Sequence, residues 1–330
     1  MANTGADLRQ VVELIRREKK FVLATHVQPD GDAIGSLLGL ALLLKKMGKE
    51  VFAGWGEPIA IPSQYFFLPG IEMLQDSSVC PPAVHNFFAL DCATLERLGS
   101  LAQGAKNAKN LVSIDHHVEK TRFAAVNIVD PSASSTAELV FRISKALNLK
   151  LSKDIATCLY VGLVTDTGRF QYSNTTTDTF KVAQELMGYG VSPHVVFQHV
   201  YENTTFRYLK LFGLVLSRTE LQKDCGLIYT WLLQSDLQQT GAKLSEAENL
   251  INFLRSVKGI EVAAVVKELE EGRFNVSLRS KGKIKVNELA EKFGGGGHPN
   301  AAGFRGTGSV ESAIESLLKA LREQKKSHVT

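Results

Sequence analysis

No two of the four cysteines, Cys80, Cys92, Cys158 and Cys225, are spaced as a C-x-x-C pair. That excludes a thiolate zinc site and a dithiol redox motif of the usual spacing. In a chain of 330 residues they read as free thiols, buried or incidental, of a reducing compartment. Long apolar runs are also missing. The most apolar stretch, Ala33 to Leu44, is shorter than the roughly 20 residues that cross a bilayer. The N-terminal MANTGADLRQVVELIRREKK has no apolar core of the signal-peptide kind. A cytoplasmic protein without a membrane partner is expected. Internal repeats and low-complexity tracts are absent, and so is a marked excess of one charge sign. Lysine and arginine number 38 against 34 acidic residues, a net charge of +4. So small a balance excludes a protein that coats long duplex nucleic acid, and it suits small anionic ligands.

Apolar residues make up 44% of the chain and charged residues 22%, enough for real cores, and the length fits about two domains. Phe21 to Thr25, Glu50 to Ala53, Phe87 to Leu90 and Leu111 to Ile114 read as short buried strands. Ala33 to Met47, apolar on nearly all sides and stopped at Gly48, reads as a helix. Ser134 to Leu147, Ser152 to Val164 and Thr176 to Met187 read as further helices. This alternation predicts an α/β fold: an N-terminal parallel sheet with helices on both faces. Ligands then gather beyond the carboxyl ends of the strands. Gly188 to Pro193 punctuates the chain, and Val195 to Ser217 reads as helical, a bridge to a smaller α/β domain. In that domain Gly226 to Leu232 is expected as a strand and Ser245 to Ser256 as a helix. Ile260 to Leu269 and Arg273 to Ser280 are expected as a hairpin. Val286 to Phe293 follows as a helix, Gly294 to Gly297 as a loop, and a last helix starts near Val310. The expected divisions are 1–190 for the first domain, 191–220 for a helical linker and 221–330 for the second domain.

Polar residues that follow the apolar strands carry the candidate chemistry. His26, Asp30 and Asp32 lie within seven residues in HVQPDGDAIGS, where Pro29 and Gly31 tighten the loop. Taken alone this is also a polar turn with Asp32 as a helix N-cap. Asp91 ends FFALD, and Asp115, His116 and His117 end VSIDHH. In extended chain the two imidazoles point to opposite sides, so one can ligate a metal while the other faces substrate. Asp166 closes an apolar helix, where a negative charge is unfavourable by up to ~1 kcal/mol unless a cation offsets it. Two imidazoles, His26 and His116, and four carboxylates, Asp30, Asp32, Asp91 and Asp166, form an oxygen and nitrogen donor set. That set suits Mn²⁺, with Mg²⁺ or Co²⁺ as substitutes. Gly294, Gly295, Gly296 and Gly297, followed by His298, would let backbone approach a ligand and aim N–H groups at an anion. Arg279, with Ser280 beside it, offers a bidentate clamp for phosphate. Lys281, Lys283 and Lys285 read as a charged strand edge that resists aggregation.

HVQPDGDAIGS, FFALD, SIDHH and TDTGRF resemble, in order, the four motifs of the DHH phosphoesterases, and SLRSKG with GGGGHPNAAGF resembles a DHHA1 domain. The likeness runs over nearly the whole chain. Within the superfamily it is most similar to the stand-alone nano-RNase and pAp phosphatase (NrnA-like) group. The resemblance implies two Mn²⁺ ions, one held by His26, Asp30 and Asp91, the other by Asp32, Asp91, His116 and Asp166. It implies His117 at the scissile phosphate, Asp115 orienting the histidine pair, and Arg279, Ser280, Gly295, Gly296, Gly297 and His298 as substrate-binding residues. Expected substrates are short oligoribonucleotides (nano-RNA), dinucleotides such as pApA, and pAp; a homodimer is left open. Cyclic dinucleotides, pyrophosphate and polyphosphate are rival substrates. Pyrophosphatases of the superfamily end in a different second domain, so GGGGH argues against that branch. A nucleotide-binding sensor without catalysis is a rival of another class.

Overall fold

The computed structural model describes residues 4–81, 84–117 and 122–327. The chain falls into two compact units, Met1–Asn203 and Thr204–Thr330. In the first unit the strands are β1 (Lys20–Thr25), β2 (Glu50–Trp55), β3 (Asn86–Leu90), β4 (Asn110–Asp115) and β5 (Val126–Val129). They form one sheet in the order β2-β1-β3-β4-β5, with every pairing parallel. The α-helices are α1 (Thr4–Arg17), α2 (Gly31–Lys46), α3 (Ala102–Lys106), α4 (Thr136–Ala146), α5 (Lys153–Asp166), α6 (Thr177–Gly188) and α7 (Pro193–Tyr201).

Strand side chains alternate between two cores, as the two-residue period of a strand demands. Leu23, Phe88, Leu90, Val112 and Ile114 join the core built with α1, α2, α4 and α5. Val22, Ala24, Phe87, Ala89 and Leu111 enter the opposite core, closed by Leu95, Leu98, Leu101 and Ala105 of a 3₁₀ segment and α3. Helix α2 is apolar on nearly every side because it is enclosed; its residues from Gly31 to Ala41 are all buried. The strand order reverses direction at β1 and β3, since β2 lies on one side of β1 and β3 on the other. Outside the carboxyl ends of such a pair of strands a crevice opens, the usual ligand position in an open parallel sheet.

The second unit carries β6 (Glu220–Gln222), β7 (Leu227–Leu232), β8 (Val262–Leu269), β9 (Arg273–Ser280), β10 (Gly296–His298) and β11 (Ala301–Thr307). They form a mixed sheet in the order β10-β11-β9-β8-β7-β6, in which β7 and β8 are the parallel pair. Its helices are α8 (Phe206–Ser217), α9 (Gln234–Thr240), α10 (Leu250–Arg255), α11 (Val286–Glu291) and α12 (Val310–Ser327). Helices α11 and α12 cover one face of the sheet, and α8 and α10 the other.

Two local expectations are corrected. The stretch from Val195 to Ser217 is two helices, broken where Glu202 ends α7 and Thr205 caps α8 by accepting a hydrogen bond from Tyr208 N–H at 3.1 Å. Asn203, Thr204 and Thr205 compete with helix through their side chains and so favour the break. The glycine run is not a free loop, because Gly296–His298 is an edge strand paired with Ala301–Gly303.

Candidate metal centre

Thr25, the last residue of β1, donates its hydroxyl to Leu90 O of β3 at 2.9 Å and ties the two switch-point strands together. The chain then leaves β1 through His26 and a tight turn in which Gln28 has φ 55°. Asp30, not Asp32, is the N-cap of α2: its Oδ1 accepts from Asp32 N–H at 3.1 Å and Ala33 N–H at 3.0 Å. Asp32 lies in the first turn of α2, buried, and both its oxygens accept backbone N–H groups from the start of α4. Thr136 donates at 2.6 Å and Ala137 at 2.9 Å. Gly162 on α5 permits this approach, since a Cβ there would lie 2.7 Å from Asp32 Oδ1 and 2.6 Å from Ala137 Cβ.

Asp91 follows β3 with φ 54°, a left-handed conformation that costs free energy in a non-glycine residue. Its N–H is held by Ile114 O at 3.0 Å. Its two oxygens face three imidazoles: His26 Nε2 is 3.7 Å from Oδ2, while His116 Nε2 at 3.8 Å and His117 Nδ1 at 3.7 Å lie beside Oδ1. His116 Nε2 is also 3.4 Å from Asp166 Oδ2 at the end of α5. A carbonyl only accepts hydrogen bonds, so the contact of His116 Nδ1 with Ala133 O (3.3 Å) requires the proton on Nδ1, whereas His26 Nδ1 lies between Val27 O (2.8 Å), which only accepts, and the Arg97 guanidinium (3.1 Å), which only donates. The His116 Nε2 lone pair is then turned toward the carboxylates of Asp91 and Asp166, as in a metal-bound histidine oriented by its second nitrogen. His117 is tied to Asp115, with Nδ1 2.6 Å and N–H 3.1 Å from Asp115 Oδ1.

Three groups of donors therefore converge: His26 with Asp30 and Asp91, Asp32 with His116 and Asp166, and Asp91 with His116 and His117. In each, the candidate ligand atoms lie within 4.8 Å of one another. Such crowding shifts protonation. Burial, then the charge of Asp91, pushes Asp32 well above the usual carboxylate range; burial, then Asp30, raises Asp91. Burial likewise raises Asp166 to about 7, against the relief that His116 supplies. For His117 burial acts downward, but the Asp115 hydrogen bond and the surrounding carboxylates prevail and hold it at about 9. Packed oxygen and imidazole nitrogen donors, without thiolate, fit hard or borderline divalent cations.

In the second unit Arg279 (β9) pairs with Ala301 (β11), and Ala301 with His298 (β10), so the three backbones share one row across the sheet. Arg279 is half-buried and donates to Leu278 O at 3.0 Å. The His298 side chain lies outside the described residues. Ser280 is buried, and its hydroxyl serves the turn: it donates to Glu261 Oε1 at 3.3 Å and accepts from Gly282 N–H at 2.9 Å. Packing demands two of the glycines. A Cβ at Gly295 would lie 2.2 Å from Gly303 O, and one at Gly297 2.6 Å from Ala301 O. Only at Gly296, with open space around it and no positive φ, does glycine answer to neither packing nor backbone conformation.

Sequence reasoning did not single out Thr136, whose hydroxyl donates to Asp91 Oδ1 at 3.0 Å. Nor did it single out Asn174, whose amide donates to Asp166 Oδ2 at 3.2 Å, or Arg97, whose guanidinium is 3.1 Å from His26 Nδ1. The one local signal was the run of small hydroxyl residues in SASSTAE, ahead of a helix.

Comparison with known proteins agrees with the geometry. Residues 20–163 match the DHH family, N-terminal domain, and residues 226–327 the DHHA1 domain. A bifunctional oligoribonuclease and PAP phosphatase NrnA of Thermus thermophilus is 36% identical over 324 residues, covering 96% of this chain and 94% of the relative. The protein of that name from Bacillus subtilis is 32% identical over 300 residues, covering 89% and 91%. The crystal structure of an exopolyphosphatase-related protein from Bacteroides fragilis superposes with a TM-score of 0.92 at 29% identity, covering 98% of this chain and 97% of the other.

Proposed function

This chain belongs to the DHH–DHHA1 phosphoesterases, and we propose that it hydrolyses short oligoribonucleotides to mononucleotides and removes the 3′-phosphate of pAp, using two divalent cations, Mn²⁺ first among them. The observation that carries the reading is Asp91, whose Oδ2 faces His26 and whose Oδ1 faces His116 and His117, so that its two oxygens serve different imidazoles as in a carboxylate shared between two ions. His26, Asp30 and Asp91 would hold one cation, and Asp32, Asp91, His116 and Asp166 the other. When bound, such a pair supplies an activated water and charge stabilisation for in-line displacement at phosphorus. The chain's own residues do the rest. Asp115 orients His117 and favours its proton, which His117 delivers to the leaving oxygen. Arg279 and the backbone at Gly296 take the substrate's other phosphate or terminal nucleotide; Ser280 supports the turn that follows Arg279 rather than touching substrate.

The test is one Mn²⁺ assay of pAp, pApA, a five-nucleotide RNA, cyclic-di-AMP, pyrophosphate and polyphosphate, run beside Asp91→Ala. Turnover of pAp and the short RNAs, abolished in Asp91→Ala, is expected; an alanine variant as active as the parent defeats the reading. Preference for cyclic-di-AMP, pyrophosphate or polyphosphate would retain the chemistry and replace the substrate. Arg279→Ala should raise KM by about tenfold or more with kcat little changed, the mark of lost uniform binding. Unaltered kinetics would remove Arg279 from the substrate site.

A further inference from the structure

We infer that the turn at residues 133–137 is the positioning element of the metal centre, with Thr136 the residue that couples the two ligand sets. The inference rests on the two-cation reading above.

Four of the six candidate ligands are held through this one turn. His116 donates from Nδ1 to Ala133 O at 3.3 Å. Asn174 donates both to Ser134 O at 2.9 Å and to Asp166 Oδ2 at 3.2 Å, so it fastens Asp166 to the turn. Thr136 donates its N–H to Asp32 Oδ2 at 2.6 Å and its hydroxyl to Asp91 Oδ1 at 3.0 Å. A single residue thus grips one carboxylate assigned to the second cation alone and the carboxylate shared by both. The turn is itself made rigid from outside. Ser134 donates N–H and hydroxyl to the buried Glu138 Oε2 at 2.9 and 2.7 Å, and Arg142 links Glu138 to Asp130.

Burial gives the hydroxyl its importance. Thr136 has no exposed surface, so no bulk water replaces a lost donor at Asp91 Oδ1. Asp91 sits in a strained left-handed conformation, and the Thr136 hydroxyl is the donor that fixes which way its carboxylate faces. Thr136→Val keeps shape and backbone N–H and removes only the hydroxyl; Thr136→Ser restores it.

The experiment counts Mn²⁺ bound by the full chain, by electron paramagnetic resonance of the free ion during titration. Thermal melts without added metal check that the variants fold like the parent. The parent should bind two ions. Thr136→Val should bind at least one of them more weakly by on the order of 10- to 100-fold, the usual loss when a ligand's outer partner is removed. Thr136→Ser should stay within about threefold of the parent, well short of that loss. Native affinity in Thr136→Val, or a serine variant as weak as the valine one, overturns the inference while leaving the two-cation reading intact. A parent chain that binds no Mn²⁺ overturns both. If Thr136→Val does not fold, Asn174→Ala tests the same turn through Asp166: weakened binding supports the inference and native binding overturns it.

Discussion

Asp91, Asp32 and Asp166 each carry a carboxyl group that burial and neighbouring carboxylates make costly to ionise. The consequence for pH is specific. Asp166 is raised from the ordinary carboxylate range to about 7, so in the absence of cations the folded chain holds protons that the unfolded chain has released. That stability is present at acid pH, and it is lost as pH rises toward and through about 7. Divalent cations replace those protons, so binding tightens as pH rises. Added Mn²⁺ should therefore raise the melting temperature more at pH 8 than at pH 6; equal shifts would show that the carboxylates are not the ligands. At this scale the sequence was informative where a titratable residue follows an apolar strand, as at His26, Asp91, Asp115 and His116. For Thr136 it offered only the run of small hydroxyl residues around it, and for Asn174 nothing. A hydroxyl or an amide carries no signal of its own until folding brings residue 136 to Asp32, which is 104 positions away.

Among the elements, the junction of α2, α4 and α5 decides whether the ligands meet. Helix α5 must pass close enough to α2 to bring Asp166 beside Asp32, and Gly162 is where all three helices meet, since a Cβ there would lie 2.6 Å from Ala137 Cβ of α4 and 2.7 Å from Asp32 Oδ1 of α2. Gly162→Ala should cost about 1–3 kcal/mol through overpacking and weaken Mn²⁺ binding along with stability. A variant with parent stability and parent affinity would show that the junction has slack. Strands β1 to β4 and helices α2, α4, α5 and α6 of the first unit were legible because buried runs and helix stops are local signals, whereas the four-residue β5 and helix α1 were not read. Strand β11, AAGFRGT, was not, since two glycines disguise it. The glycine run read as a loop because its reason for being glycine lies in a neighbouring strand: Gly295 and Gly297 clear the backbone of Gly303 and Ala301. The break between α7 and α8 was missed because apolar residues on both sides continue a helical pattern.

For the whole molecule, two units with separate cores give metal and fold a simple relation. All six candidate ligands belong to the first unit. The chain has two tryptophans, buried Trp55 in the first unit and Trp231 in the second. With Trp231→Phe, fluorescence reports the first unit; with Trp55→Phe, it reports the second. Mn²⁺ at about 100 times its Kd should stabilise the first by about 2.7 kcal/mol and leave the second's transition in place. A second-unit transition that moves equally would mean that the chain unfolds as one body. The two-domain α/β plan was readable from composition shift and motif order, whereas the turn that binds the ligands together depends on contacts between distant segments.

The most direct test is anomalous diffraction at the manganese edge from crystals of the chain soaked in Mn²⁺. Two peaks about 3.5–4 Å apart, with Asp91 between them, are expected. One peak, or two that do not share Asp91, would contradict the account.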